Sequence, residues 1–306
     1  MTDAAPRRRF EFRQFTLSKD ADAPEQNQDA AAVNAAALAA AIADGVSAGI
    51  FCGRWARLLV DALVASPPDV DDRDAWRAWL AAQRAAWRAQ IDVSRLAWFQ
   101  KAKLRDGAFT TLVWLRIEEP PRDGVANSEP AHAPDNAGDA RDAHSERPVE
   151  PAARVRAWAV GDSCLLHVRG GAIVGRFPIE RTDDFGAAPL GLGSIDLNRD
   201  ELVVFARYDA PAADGDLLVL CTDALAEYFL RCDESGASID WESYWSLSEA
   251  EWLARIEALR NARELRYDDT TLLLVRLVAG DPPGQEKETG PAEPKLKADP
   301  VAARDT

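Results

Sequence analysis

Histidine is scarce in this chain, and the scarcity narrows the chemistry. There are three in 306 residues, and His132 and His144 both fall in a stretch of low complexity. A histidine metal site or a serine–histidine triad is therefore not expected. Cysteine is also sparse. Cys52, Cys164, Cys221 and Cys232 show no CxxC spacing, and two lie inside apolar runs, so they are read as buried free thiols of a reducing cytoplasm, not zinc ligands or disulfides. Positive charge is short as well. The formal net charge is -15, and nucleic acid or an anionic membrane would each demand a basic face, so neither is expected as a partner. Arg7-Arg8-Arg9 is a small basic cluster with no apolar core after it, unlike a signal peptide. The most apolar run, Ala35–Ala43, is far short of the roughly 20 residues that cross a bilayer.

What remains is an ordinary globular composition, 47% hydrophobic and 28% charged, in a chain long enough for one large core or two small ones. The stretch from Ala37 to Gly49 sets the pattern. A short apolar run, long enough for one buried strand, ends at Asp44-Gly45. A pattern at helical spacing follows (Ile50, Phe51, Trp55, Leu58, Leu59, Ala62, Leu63) and runs to about Ala65, where Pro67-Pro68 stops it. Glycine at 45 permits a sharp turn or a close approach. Asp44 is thus a turn aspartate, a helix cap or a functional acid at the carboxyl end of a strand.

Elsewhere the chain reads mainly as strands. Phe10–Phe15 alternates as an edge strand, and Ala31–Val33 begins a buried one just after Asp29. From Asp69 to about Leu104, Trp76, Trp79, Leu80, Trp87, Ile91, Leu96, Trp98 and Phe99 predict one long amphipathic helix whose tryptophans pack on a sheet. Ala108–Ile117 and Arg154–Val160 are β runs flanking an insertion at 118–153, rich in Pro, Ala, Asp and Gly, which is expected to be disordered at a hairpin tip. Cys164–Arg169, Gly170-Gly171 and Ala172–Phe177 form a hairpin. Leu202–Tyr208 is another strand. Asp216–Thr222, apolar throughout and so buried on both faces, ends at Asp223 before a helix, repeating the opening design. Leu247–Leu259 is a helix entered through Ser248 with Glu249 and Glu251 in its first turn. Leu272–Leu277 is a last buried strand, and 279–306 reads as a disordered tail.

Asp29, Asp44, Asp162, Asp223 and Asp268 all stand where a β run begins or ends. Carboxylates gathered at one rim would repel one another unless a cation neutralised them. An oxygen-only ligand set suits Mg²⁺ or Mn²⁺, and such a pair of ions can activate water against a phosphate. Spacing alone leaves that gathering open.

Taken in order, Asn27-Gln28-Asp29-Ala30, Ala43-Asp44-Gly45-Val46, Gly107–Thr111, Val160-Gly161-Asp162-Ser163, Asp214-Gly215-Asp216 with Leu220–Leu225, and Asp268-Asp269-Thr270-Thr271 resemble the successive motifs of the type 2C, metal-dependent serine/threonine protein phosphatases. The chain looks like a divergent member of bacterial type, a source also suggested by abundant Ala and Arg beside little Lys. The resemblance implies an α+β fold, an antiparallel two-sheet β-sandwich flanked by α-helices in αββα layers, within one domain at 1–278. It also implies two Mn²⁺ or Mg²⁺ ions and a weaker third. In that pattern Asp44 bridges both metals and the Gly45 carbonyl binds one. Asp223 and Asp268 hold one ion, Asp29 holds water on the other, and Asp162 joins Asp223 at the third. A metal-bridging hydroxide, set by Asp44 and Asp29, would then attack phosphoserine or phosphothreonine directly.

The departures from the pattern are Gln28 for a glutamate, Pro24 near where many members carry a phosphate-binding arginine (Lys19 or an arginine elsewhere would be the substitute), Ser47-Ala48 for a glycine pair, and Ala224 for a glycine. They motivate the alternative: a weak or inactive phosphatase-fold module that binds a partner protein. The remaining expectations are a cytoplasmic monomer in signalling, with a phosphoprotein substrate and a cognate Ser/Thr kinase system.

Overall fold

A computed structural model describes residues 8–20, 22–46, 49–119, 153–186, 190–196 and 204–280. The body of the expected 118–153 insertion, the 279–306 tail beyond residue 280, Ser47-Ala48 and the start of the expected 202–208 strand lie outside them.

Two antiparallel sheets face each other. The first is built from β1 (Arg9–Leu17), β6 (Cys164–Arg169), β7 (Ala172–Phe177), β10 (Leu217–Cys221) and β11 (Thr270–Val278), in the order β1-β11-β10-β6-β7. The second takes β2 (Ala30–Asn34), β3 (Ala39–Gly45), β4 (Phe109–Glu118), β5 (Arg154–Val160) and β9 (Ala206–Pro211) in sequence order, with the two-residue β8 (Leu192–Gly193) against β4. β1 is an edge strand, as its alternation suggests. Outside the sheets lie α1 (Cys52–Ala65), α2 (Arg73–Ala89) and α3 (Trp98–Lys103) on one side, and α4 (Asp223–Glu234), α5 (Trp241–Trp245) and α6 (Glu249–Asn261) on the other. The molecule is thus an α+β sandwich of two antiparallel sheets between helical layers.

The period-two geometry of a strand explains the continuous apolar runs, because successive side chains serve opposite faces and both faces are covered. In β11, Leu273, Val275 and Leu277 enter the space between the sheets with Ile42, Val113, Leu115 and Leu220. Leu272 and Leu274 turn outward onto Leu225, Phe229, Trp252 and Ile256 of the helices. In β3, Ala40 and Ile42 face the sandwich, while Ala41 and Ala43 face α1. Alanine at those outward positions lets α1 seat Trp55, Leu59 and Leu63 close to the sheet.

The long helix expected over 69–104 is broken. Asp72 caps α2 by accepting from the Asp74 and Ala75 amides, and Trp76, Leu80 and Trp87 join the core shared by α1 and the second sheet, Trp87 meeting Trp55 of α1 edge to face. The helix then ends, because the Asp92 carboxylate accepts from the Ser94 amide and hydroxyl (3.0 and 2.5 Å) and holds the chain in a turn. That turn changes the helical register, so Trp98 and Phe99 point into solvent and Leu104 is buried instead. Two smaller corrections follow. The strand expected at 202–208 begins at Ala206, and Cys232 is half-buried whereas the other three thiols are buried. β4 and β5 pair out to Glu118 opposite Arg154, so the chain leaves and re-enters the second sheet at adjacent points. Among the described residues no helix is long and apolar enough to cross a membrane.

The acid of Asp214-Gly215-Asp216 is structural. Asp216 stands at the start of β10, the opposite end of that strand from Asp223. Its buried carboxylate accepts from Arg169 Nε and Nη2 (both 2.7 Å) and from the Ala213 amide (2.8 Å), and lies 2.9 Å from His167 Nε2. Burial alone would raise its pKa; Arg169, the Ala213 amide and His167 outweigh burial and hold it below the usual carboxylate range. The stability it contributes is therefore present above the unfolded value of about 3.9 and is lost as pH falls through the lower folded value. Asp216→Ala should cost about 2–3 kcal/mol, the solvent-open Arg169 side being screened. Chemical denaturation at pH 7 and pH 3 checks this, with the difference from wild type shrinking at the lower pH.

Candidate metal centre

Asp44 is the last but one residue of β3, and the backbone around it is held from three sides. Thr110 Oγ1 on β4 donates to the Asp44 carbonyl (2.7 Å), the Gly45 amide donates to the Gln28 carbonyl (3.2 Å), and the Val46 amide donates to the Phe109 carbonyl (2.9 Å). A Cβ on Gly45 would lie 2.8 Å from the Gln28 carbonyl oxygen and 2.9 Å from the Cys52 Cβ, so only glycine fits there. The helix then starts at Cys52, two residues after the apolar spacing begins at Ile50, because Phe51 adopts a left-handed conformation (φ 57°).

Asp162 is carried by the β5–β6 turn. Gly161 has φ +90°, and a Cβ there would lie 2.6 Å from the Thr111 side chain, so the turn needs glycine on both counts. Ser163 Oγ shares a hydrogen bond of 2.7 Å with Thr111 Oγ1, which ties this turn to β4. Asp223 is the first residue of α4, where the unpaired amides of a helix start favour negative charge, and its Oδ1 accepts from the Ala224 amide at 2.6 Å. Asp29 precedes β2, with Oδ2 accepting from Thr222 Oγ1 at 2.9 Å.

These connections bring Asp44, Asp162 and Asp223 together, one oxygen from each lying within 4.8 Å of the others. That is close to the span of roughly 4 Å across a six-oxygen shell. Asp29 and Asp268 stand outside this trio but near enough to act on it. Burial drives the Asp44 pKa well above the carboxylate range, and the negative charges of Asp29, Asp223, Asp268 and Asp162 add to the shift. Burial carries Asp29 to about 8, against hydrogen bonds from Thr271 and Thr222 and with the help of Asp269 and Asp223. Asp162 rises to about 6, through burial and then Asp223. Asp223 rises through burial, opposed by Arg266. Two of the buried oxygens, Asp29 Oδ1 and Asp162 Oδ1, have no hydrogen-bond donor among the described residues. Orphaned acceptors in a crowd of like charge suit hard divalent cations, and no His or Cys is in the group.

Three residues that the sequence reading left without a site role frame this cluster. Arg266 pairs with Asp223 and sits 3.7 Å from Glu227. Its only signal in sequence was its place two residues before Asp268. Asp269, buried beside Asp268, accepts from the Lys19 and Gln28 amides (2.8 and 2.9 Å), clamping the end of β1 to the segment that carries Asp29. Thr222, the residue before Asp223, holds Asp29 by its hydroxyl. Lys19, one of the candidate substitutes for a phosphate-binding arginine, puts its Nζ 3.3 Å from Asp268 Oδ1. Burial opposes its protonation, yet Asp268, Asp269 and Asp44 outweigh burial and raise its pKa.

No protein-family model matches the chain, and no curated protein matches it. Solved structures do. The catalytic domain of the serine threonine protein phosphatase PstP, in complex with two manganese ions, is 17% identical over 89% of this chain and 100% of its own, with a TM-score of 0.50. The photosystem II phosphatase PBCP is 13% identical over 87% of this chain and 98% of its own, also at 0.50. PppA, described as a key regulatory component of T6SS in Pseudomonas aeruginosa, is 18% identical over 89% and 100%, at 0.49. At such identities the likeness is one of fold: this chain shares the helix-flanked double sheet of PstP and PBCP.

Proposed function

We propose that the chain is a Mn²⁺- or Mg²⁺-dependent phosphatase acting on phosphoserine or phosphothreonine. The observation that carries the reading is the convergence of Asp44, Asp162 and Asp223 within 4.8 Å beside the donorless oxygens of Asp29 and Asp162. Asp44, Asp223 and Asp268, with the Gly45 carbonyl, would hold two ions, Asp162 would serve a weaker third, and Asp29 would hold water through its free Oδ1. Bound there, divalent cations supply the positive charge that acidifies water and screens a phosphoryl group. The chain's own groups do the rest. Thr222 fixes the rotamer of Asp29, the tight Gln28–Gly45–Cys52 contact holds the Asp44 backbone, and Lys19 lends a positive charge at the Asp268 side of the cluster. The same reading takes 1–278 as one domain carrying the 118–153 insertion and followed by the 279–306 tail. It sets the protein in the bacterial cytoplasm, as a monomer in signalling opposite a Ser/Thr kinase.

One observation favours the second reading, a binding module without turnover. The Arg266 guanidinium already neutralises Asp223, a cation of the protein's own on a carboxylate the first reading gives to metal.

Two measurements separate these readings. With Mn²⁺, wild type should hydrolyse p-nitrophenyl phosphate and a phosphothreonine peptide, and Asp44→Asn should lose about 100-fold or more of kcat/KM, roughly 3 kcal/mol. Equal rates in both proteins would end the enzymatic reading. In thermal denaturation at pH 7, Asp29→Asn should stabilise the metal-free protein by about 1–2 kcal/mol, a few degrees, because the wild-type acid, its pKa raised to about 8 by burial, must take up a proton or carry a buried charge to fold. The same substitution should shrink the rise in Tm that Mn²⁺ gives wild type; an undiminished rise would remove Asp29 from the cation site.

A further inference from the structure

The misplaced aromatic residues of the broken helix make a surface of their own. Of the ten tryptophans, all within the described residues, Trp98 alone is exposed, at 81%, and its neighbour Phe99 is 54% exposed. The two rings meet edge to face with centroids 6.0 Å apart. Their helix is pinned beneath them: the Ala97 amide donates to Gln100 Oε1 (2.9 Å), and Leu104 is buried. The rings are therefore held out in a fixed place, at the cost of leaving a large apolar area in water.

The charge around them is equally unusual for this protein. Residues 95–105 carry Arg95, Lys101, Lys103 and Arg105 and no carboxylate, within a chain of net charge -15. All four side chains are exposed, and none makes an ion pair among the described residues. Elsewhere arginines are matched by acids, as in Arg154 with Asp209, Arg169 with Asp216, Arg231 with Glu227 and Arg276 with Glu242. The chain that leaves the patch runs to the segment that follows Asp44-Gly45. The Gly107 carbonyl, two residues past Arg105, accepts from the Ile50 amide (3.2 Å), and Phe109 binds Val46.

We infer that Trp98 and Phe99, with Arg95, Lys101, Lys103 and Arg105, form a docking surface for an acidic segment of the phosphoprotein whose phosphorylated residue enters the carboxylate cluster. That the partner is a phosphoprotein rests on the phosphatase reading, whereas the surface itself stands on exposure and charge. Unpaired cations provide the steering, and the two rings provide apolar contact at small entropic cost. A peptide contacts only this basic patch, whereas an extended anionic membrane would also face the negative remainder of the surface, so the peptide is the occupant.

The test uses the full chain and a fluorescein-labelled, Glu/Asp-rich peptide without phosphate, read by anisotropy in EDTA. The peptide should bind wild type, weaken with added salt, and bind about tenfold or more weakly to Lys101→Glu/Lys103→Glu and to Trp98→Ala/Phe99→Ala. With Mn²⁺ the same variants should raise KM for a phosphothreonine peptide in acidic context while leaving p-nitrophenyl phosphate hydrolysis unchanged. Equal binding of a Lys-flanked peptide, wild-type affinity in both variants, or patch-dependent binding of phosphatidylserine vesicles in place of the peptide would overturn the docking surface. Patch-dependent peptide binding by a wild type that turns over no phosphate would uphold the surface and end the phosphatase reading.

Discussion

Five carboxylates share one end of this sandwich, and their mutual repulsion is the constraint that the surrounding structure answers. Asp29, Asp44, Asp162, Asp223 and Asp268 come from remote points of the chain, and burial leaves Asp29, Asp162 and Asp223 little water for screening. The fold offers partial relief through Thr222 on Asp29, Arg266 on Asp223 and Lys19 on Asp268. Among the described residues no donor reaches Asp29 Oδ1 or Asp162 Oδ1. An arrangement that keeps bare buried acceptors among like charges is costly in the absence of a cation, and that cost is the physical content of the metal reading.

The architecture explains how such a group can be held. Each of these acids sits at or beside a strand end, so the stiff part of the chain ends where the charge begins. Hydrogen bonds between neighbouring segments then fix the short connections: Gly45 to Gln28, Val46 to Phe109, Ser163 to Thr111, and Asp269 to both Lys19 and Gln28. Close backbone approach at Gly45 and the positive φ of Gly161 admit no other residue. The opposite end of β10 shows the contrast. Asp216 is just as buried, but Arg169, His167 and the Ala213 amide answer its charge fully, so it serves stability alone.

The exposed aromatic pair on α3 belongs to the same account. α2 and α3 would be one helix by apolar spacing, and the Asp92 turn divides them. The division buries Trp76 and Trp87 in the core around α1 and leaves Trp98 and Phe99 exposed, among four cations that make no ion pair with the described residues.

Sequence by itself determined the strands, since continuous apolar runs such as Leu217–Cys221 and Leu272–Leu277 can be satisfied only by a sheet covered on both faces. It also determined the capped entry to α6 and the standing of five acids at strand ends, because caps, turns and period-two burial are local physics. Which of those acids meet was decided only by the tertiary structure. Asp162 joins Asp44 and Asp223, Asp29 and Asp268 flank them, and Asp216 goes to the far end. Nor could the sequence announce Arg266 and Asp269 as partners of the cluster, or the solvent exposure of Trp98. Pairing across 43 residues, as between Arg266 and Asp223, and a helix register reset by one aspartate are set by where the sheets place the chain ends, and no local pattern carries that information.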